Sequence, residues 1–236
     1  MSVFTSLVII ILSMLIQAFL QTSPSVFAIF YHHTLAKTSA KKTDDRSLSF
    51  ILGVEIAVAI IFLATYFIIT FFTNGDLLQN PIFFSIMSGI LIIEAIFMWF
   101  FYFKIGKKSK NTTMLFLPRR LAKNLIFHAE HAKNRSDTIL LGAITVLIEL
   151  IFTLPLFVIS SISILNLSPR FGFVFIIAYI IIATLPLFAI RTLYANGHNL
   201  AEIQRFHVKR KLSIRLILSF SYLVLAINIL LSGILT

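Results

Sequence analysis

Six long apolar runs separated by polar segments dominate the chain. Each is close to, or longer than, the roughly 20 residues that a helix needs to cross the hydrocarbon core of a bilayer. The runs are Val3–Phe30, Leu48–Phe72, Ile82–Phe103, Thr138–Leu165, Phe171–Ile190 and Leu212–Leu235. This pattern predicts an all-α, polytopic membrane protein with six transmembrane helices. The first run is not a signal peptide, because no basic residue precedes Lys37 and the run is too long for the apolar region of one.

Basic residues lie almost entirely on one side of these predicted spans. Of the 20 Lys and Arg residues, only Arg170 falls in a segment that the alternation of spans assigns to the other side. The positive-inside rule therefore places the basic side in the cytoplasm. With an even number of spans, both termini are then outside.

Composition excludes several classes of protein. The chain is 58% hydrophobic and 12% charged, so it lacks the polar surface that a soluble domain of this length requires. Its net charge of +11 sits in the loops, which predicts contact with anionic membrane lipids and no binding of nucleic acid. The absence of cysteine excludes disulfides and thiolate metal sites.

A basic polar linker divides the single membrane domain, residues 1–236, into two halves. The linker covers residues 106–136 and follows a first group of three spans, residues 1–105; a second group covers residues 137–236. Helical spacing of apolar residues predicts an amphipathic helix over Arg119–Asn134, lying on the inner face of the membrane. Because one half starts outside and the other inside, the two are predicted to form inverted three-helix repeats.

The first span of each half contains a proline past its midpoint. Pro24 and Ser25 follow the polar Gln17, and Pro155 follows Glu149. A proline frees a backbone carbonyl, which within a membrane must face protein or a wet cavity. One proline is more typical of a packing kink, but a matched pair favours two helix breaks around a central transport site.

These proline motifs are similar to those of a known group. Ser23-Pro24-Ser25 and Thr153-Leu154-Pro155-Leu156 stand where the LysE/CcdA transporter superfamily carries Ser/Thr-Pro-Cys-type motifs, and the chain is closest to the cytochrome c biogenesis CcdA/DsbD-type transmembrane family. The resemblance covers nearly the whole chain. It implies two inverted three-helix repeats and a prokaryotic plasma membrane.

The two cysteines of that family are missing here. Ser25 and Leu156 occupy their positions, so thiol–disulfide transfer through this chain alone is chemically impossible. The resemblance then implies the other activity of the superfamily, which is secondary export of small solutes or metal cations. A redox subunit that relies on the cysteines of a partner is the remaining variant of this interpretation.

Three glutamates lie within the predicted spans. Glu94 and Glu149 fall near mid-depth, whereas Glu55 is nearer the inner surface. Ionised side chains are costly at mid-depth, and no Lys or Arg lies there to pair with them. We predict a cation or proton site formed by Glu94 and Glu149 with Gln17, Thr153 and Asn228. The alternative is a neutral glutamic acid bonded to a neighbouring helix.

Other chemistry has less support in the sequence. His128 and His131 share a helix face and, with His32 or His33, could bind a metal; solvated histidines are the alternative. No nucleotide-binding motif or nucleophile elbow is present, so we predict neither an enzyme nor a cofactor. The preferred hypothesis is a small secondary transporter with its site at helices one and four. The alternative is a non-transporting scaffold or assembly factor; homo-oligomerisation is left open.

Overall fold

A computed structural model describes residues 2–19, 26–31, 34, 40–73, 80–100, 119–132, 134–167, 172–196 and 211–234. Seven helices with defined bounds lie in these ranges: α1 (Val3–Phe19), α2 (Ala40–Thr73), α3 (Pro81–Phe100), α4 (Arg119–His131), α5 (Arg135–Leu167), α6 (Gly172–Ala195) and α7 (Lys211–Ile234). Residues 26–31 are helical as well, and the described ranges contain no strand. The prediction of an all-α protein is therefore confirmed.

Four of these helices are long and apolar enough to cross a membrane. They are α2, α5, α6 and α7, while α1 and α3 are apolar but shorter within the described ranges. Large apolar side chains cover their outward faces; Phe71 is 78% exposed and Ile151 is 77% exposed. Such faces are stable in hydrocarbon rather than in water, as expected for an integral membrane protein.

Two helices extend beyond the apolar runs that predict them. The run predicted from Leu48 belongs to a helix that begins at Ala40, and the run predicted from Thr138 belongs to one that begins at Arg135. Charged residues in these added turns form ion pairs, Asp44 with Arg191 and Asp45 with Arg135. The amphipathic helix predicted over Arg119–Asn134 is confirmed as α4, which buries Leu125 and Ala129.

The bundle has α1 and α5 at its centre. One core cluster joins them to residues 26–31, α2, α4 and α6, and includes Phe27, Phe50, Phe62 and Tyr179. A second cluster joins α1 and α5 to α3 and α7, and includes Leu91 and Tyr222. Between the helices, the contacts of α2 with α5 and of α3 with α7 are the most extensive.

The helices run between two ends that differ in charge. Asp44, Asp45, Arg135 and Arg191 meet at one end, which we call the basic end because Lys42 and Arg46 belong to the same turns. At the opposite end, which we call the far end, the Asn166 amide donates to Ser6 Oγ over 2.9 Å.

Pro155 does not break its helix, so the predicted break there is wrong. Helix α5 continues through Pro155, and α6 likewise continues through Pro186. A proline removes the donor to the carbonyl four residues earlier, here that of Ile151, and a neighbouring helix can stabilise the turn around it. Tyr222 of α7 donates its hydroxyl to the adjacent carbonyl, that of Phe152, over 3.0 Å. The other predicted break, at Pro24 and Ser25, lies outside the described residues.

Candidate functional site

Buried polar side chains line the contact between the two central helices. We define this polar seam as Ser6, Ser13 and Gln17 of α1 with Glu149, Thr153, Ser160, Ser163 and Asn166 of α5. Except for the half-buried Asn166, every member is at most 2% exposed. At 100° per residue, Ser6, Ser13 and Gln17 share one face of α1, as do Glu149, Thr153, Ser160 and Ser163 on α5.

Two contacts fix how these faces meet. The hydrogen bond between Asn166 and Ser6 joins them at the far end. Further along, Ile9 of α1 and Ser163 of α5 line the same small cavity. The two helices are therefore antiparallel. Measured along the helix axis from the Asn166–Ser6 contact, at about 1.5 Å per residue, Gln17 and Thr153 lie at depths that differ by roughly 3 Å.

Several polar atoms in the seam have no hydrogen-bond partner among the described residues. Five atoms are in this state: Ser13 Oγ, Gln17 Oε1, Thr153 Oγ1, Ser160 Oγ and Ser163 Oγ. A buried polar group left unpaired costs about 1–3 kcal/mol, so the seam concentrates a large unfavourable free energy in one place. Native proteins usually retain such groups where water or a ligand satisfies them.

Several hydroxyl groups elsewhere in the bundle are paired within their own helices, although Ser161 Oγ and the Tyr179 hydroxyl, outside the seam, also lack a partner among the described residues. Thr65 donates to the carbonyl of Ile61 over 2.8 Å, and Ser232 donates to the carbonyl of Asn228 over 2.7 Å. These are the usual bonds of helical Ser and Thr to the carbonyl one turn earlier. Because the unpaired hydroxyls of the seam do not make this bond, they remain available to an incoming group.

Glu94 joins the level of the seam from a third helix. The side chain is 8% exposed, and its Oε2 atom has no hydrogen-bond partner among the described residues. The rings of Phe97 on α3 and Phe152 on α5 lie 6.1 Å apart, which sets the relative depth of these antiparallel helices. From that contact, Glu94 and Thr153 are within about 3 Å of one depth.

Not all of the predicted site residues share that depth. Glu149 is 2% exposed and lies about 9 Å nearer the basic end than Glu94, along the bundle axis. Asn228 is on α7, and its amide donates to the carbonyl of Val224 within its own helix over 2.8 Å. Counted from the Tyr222–Phe152 hydrogen bond, Asn228 lies about 9 Å from that contact, toward the far end. The structure therefore groups Gln17, Glu94 and Thr153 at one level, with Glu149 and Asn228 on either side.

Serines and one asparagine of the seam were not among the predicted site residues. Ser13, Ser160 and Ser163 are small hydroxyl residues within apolar runs, and residues of this type are usually satisfied within their own helix. The signal available in the sequence was their spacing: Ser13 precedes Gln17 by four residues, and Ser160 and Ser163 follow Thr153 by seven and ten. It becomes informative only when α1 is known to face α5.

Glu55 lies outside the seam. It sits on α2, is half-buried, and accepts a hydrogen bond from the hydroxyl of Thr184 on α6 over 3.5 Å. That hydroxyl also contacts carbonyls of its own helix. This arrangement agrees with the alternative of a glutamic acid that is hydrogen-bonded to a neighbouring helix.

The histidine candidates give no metal site in the described part of the chain. No group of three or more His, Cys, Asp or Glu side chains comes together there. His128 and His131 are both exposed, and His131 stacks on Phe127 with ring centroids 4.2 Å apart. His32 and His33, the predicted source of a third ligand, lie outside the described residues.

The cavity at Ser163 is small. Ile9, Phe84, Met87, Ile159 and Ile229 form most of its wall, and its volume of about 10 Å³ admits a single water molecule at most. Neither Glu94 nor Glu149 lines it. The described helices thus enclose the seam tightly at this point.

No protein-family model, no curated protein and no solved structure matches the chain. The features of this chain that point to a function are the seam and the residues around it.

Proposed function

We propose that the protein is a small secondary transporter or exporter whose substrate path follows the polar seam between α1 and α5. The observation that carries the proposal is the set of buried, unpartnered polar atoms in that seam. A bundle selected only for packing would satisfy these groups internally or replace them with apolar ones. Binding and releasing a polar substrate requires such groups, because they are satisfied when the substrate or water is present.

The alternating directions of the helices support six membrane spans. The ion pairs at the basic end join α2 to α5 and α6, and residues 28 and 194 meet there through the Tyr194 hydroxyl and the Ala28 carbonyl. Ser6 and Asn166 meet at the far end. Helices α1 and α3, although shorter, cross the same bundle. With the basic end in the cytoplasm, both termini are outside.

Helix packing supports inverted repeats. Exchanging α1 with α5, α2 with α6, and α3 with α7 maps the principal helix contacts onto one another. Three contacts map onto themselves: α1–α5, α2–α6 and α3–α7. The contact of α1 with α7 maps onto the contact of α5 with α3, and that of α1 with α6 maps onto that of α5 with α2. The α5–α6 contact has a counterpart in residues 26–31 and α2, where the Phe27 and Phe50 rings lie 5.2 Å apart.

The chemistry of the seam favours a cation or a protonatable substrate. Every polar group of the seam is a hydroxyl, amide or carboxyl group, and none is Lys or Arg. Such oxygen atoms suit hard or borderline cations, whereas a free anion would meet no positive partner. Glu94 and Glu149 can each exchange a proton for a cation, which provides a means of coupling transport to a proton gradient.

The resemblance to the LysE/CcdA superfamily agrees with this function and with a prokaryotic plasma membrane. It does not extend to electron transfer, because the chain contains no cysteine. Export of a small solute or metal cation is the activity of that group which the residues of this chain can perform.

A flux assay tests the proposal. Purified protein in proteoliposomes is screened against amino acids and divalent metal ions, with and without a pH gradient. We expect proton-coupled flux that Glu94→Gln abolishes or uncouples from pH. Glu55→Gln is the matched control, since Glu55 is bonded to Thr184 away from the seam. Flux and pH dependence that survive in both Glu94→Gln and Glu149→Gln would remove the glutamates from the mechanism.

One observation favours the alternative of a scaffold or assembly factor. The cavity bounded by described residues is too small for a solute and does not touch the glutamates. A folded protein that transports none of the screened solutes, while remaining stable in Glu94→Gln, would support the scaffold.

A further inference from the structure

Two ion pairs join separate helices at the basic end of the bundle. Arg191 of α6 donates from Nε and Nη2 to Oδ1 of Asp44 on α2, over 2.8 Å and 2.6 Å. Arg135 of α5 donates from Nη2 to Oδ2 of Asp45, the next residue of α2, over 2.8 Å. Adjacent aspartates on one helix therefore hold the ends of two others.

A layer of aromatic side chains lies beside these ion pairs. The rings of Tyr31 and Tyr194 stack with centroids 4.6 Å apart, and the Tyr194 hydroxyl donates to the carbonyl of Ala28 over 3.0 Å. Phe50 packs against Phe27 and Phe30, with centroids 5.2 Å and 5.9 Å away. Together they tie residues 26–31 to α2 and α6.

These packed and paired groups lie at the basic end of the helices that form and flank the seam. At the far end, the described contact between α1 and α5 is the hydrogen bond between the neutral side chains of Asn166 and Ser6. The small cavity lined by Ser163 lies next to that bond and admits one water molecule at most.

We propose that the contacts at the basic end act as a gate on the cytoplasmic side of the path. We call them the basic-end latch: the Asp44–Arg191 and Asp45–Arg135 ion pairs with the stacked Tyr31 and Tyr194. The inference rests on the proposed transport function. In it, substrate passes the basic end only when α2 separates from α5 and α6, and the described conformation is the one closed on that side.

The chemistry of the latch fits a contact that opens repeatedly. Both ion pairs retain solvent access, with side-chain exposures of 28% and 49% for Arg191 and Asp44, and of 71% and 45% for Arg135 and Asp45. Exposed pairs are weak and exchange readily with water. The stacked rings of Tyr31 and Tyr194 are uncharged, so they can likewise separate without leaving a buried charge unpaired.

Cysteine accessibility tests the latch without depending on transport. The chain has no cysteine, so Thr153→Cys places a single reporter in the seam. An impermeant, charged thiol reagent is applied from the basic side of reconstituted vesicles. We expect Arg135→Ala combined with Arg191→Ala to speed labelling by about fivefold or more, the shift that loss of two exposed ion pairs produces. Lys42→Ala combined with Lys123→Ala removes the same charge from exposed residues and should leave the rate unchanged.

A second variant closes the latch. Asp45→Cys with Arg135→Cys, in the otherwise cysteine-free chain, is cross-linked across the helix contact by a bis-methanethiosulfonate reagent long enough to replace the Arg135–Asp45 ion pair. We expect flux to fall at least tenfold on cross-linking and to recover on reduction. Unchanged labelling in the arginine double variant, or equal acceleration in the lysine control, would overturn the latch. Latch-dependent labelling in a protein without flux would instead overturn the transport function and retain the gate.

Discussion

Gly142 of α5 lies directly against the backbone of Phe50 on α2. A Cβ atom at Gly142 would collide with the carbonyl oxygen of Phe50, and one at Gly53 of α2 would collide with the carbonyl oxygen of Ile139 on α5. The two glycines allow the backbones of α2 and α5 to approach each other closely, which is how small residues act in membrane helix pairs.

Alanine at either glycine should therefore destabilise the bundle. The obstructing atoms are backbone, which cannot move aside as a flexible side chain can, so Gly142→Ala and Gly53→Ala should each cost about 1–3 kcal/mol. Unfolding in mixed micelles, followed by circular dichroism, measures the effect. Gly89→Ala is the matched control, because a Cβ there meets no atom within 4 Å. Equal stability of all three variants would contradict the close contact.

A buried hydroxyl links α3 to α7. Ser88 is 2% exposed and donates to the carbonyl of Ala226 over 3.0 Å. Interhelical hydrogen bonds in membranes contribute about 0.6–2 kcal/mol, so Ser88→Ala should lower the free energy of unfolding by that amount. Ser85→Ala serves as the control, since the exposed Ser85 bonds only to the carbonyl of Pro81 in its own helix. A larger loss in Ser85→Ala would show that the α3–α7 bond is unimportant.

Tyr222 donates to the carbonyl of Phe152, which neighbours the Ile151 carbonyl that Pro155 leaves without its helical donor. Tyr222→Phe should cost about 0.5–1.5 kcal/mol in a chain that keeps the proline. In the Pro155→Ala background, the restored backbone donor tightens the same turn, and the cost of Tyr222→Phe should fall. A double-mutant cycle in stability measures this coupling. Strictly additive effects would mean that tyrosine and proline act independently.

Phe127 should insert into the membrane interface. Helix α4 buries Leu125 and Ala129 against the bundle, while Phe127 is 56% exposed beside the exposed Lys123. An aromatic residue next to a basic one on a surface helix is typical of contact with anionic lipid. Trp99 is the one tryptophan of the chain, so Phe127→Trp in a Trp99→Phe background gives a clean fluorescence reporter.

The emission of this variant should shift to the blue and be quenched by brominated anionic lipid. Vesicles of zwitterionic lipid are the control, and quenching there should be weaker. Emission that stays at the wavelength of water-exposed tryptophan in both membranes would place α4 away from the lipid.

Hydropathy identified most of the helices, because a membrane segment must be apolar over its whole length. The runs starting at Phe171 and Leu212 correspond closely to α6 and α7, and the period of Leu125 and Ala129 correctly predicted α4. Hydropathy placed the start of α2 too late, at Leu48 instead of Ala40, because the turns that contain Asp44 and Asp45 are polar. Those turns are helical, and their carboxylates form ion pairs with Arg191 and Arg135. A hydropathy average over neighbouring residues cannot predict pairing between distant parts of the chain.

The proline at position 155 illustrates the same limit. Local rules predicted a break, because Pro155 removes a hydrogen bond and crowds the preceding turn. A hydroxyl that bonds to the same turn comes from Tyr222, far along the chain, on a helix that packs beside α5. Only the tertiary contact decides whether such a helix breaks or continues.

The sequence by itself determined that this is an all-α chain with long apolar helices, basic residues concentrated between its apolar runs, no cysteine, and acidic and amide groups within its apolar segments. These are properties of individual residues and of their spacing, and they require no knowledge of neighbours. Tertiary structure alone decided which polar groups meet. It places Gln17, Glu94 and Thr153 at one depth in the bundle. The Asn228 amide instead bonds to a carbonyl of its own helix, and serines between α1 and α5 have no partner among the described residues. The physical reason is that depth and facing depend on which helices pack together, and in this bundle close backbone contact at Gly53 and Gly142 joins α2 to α5.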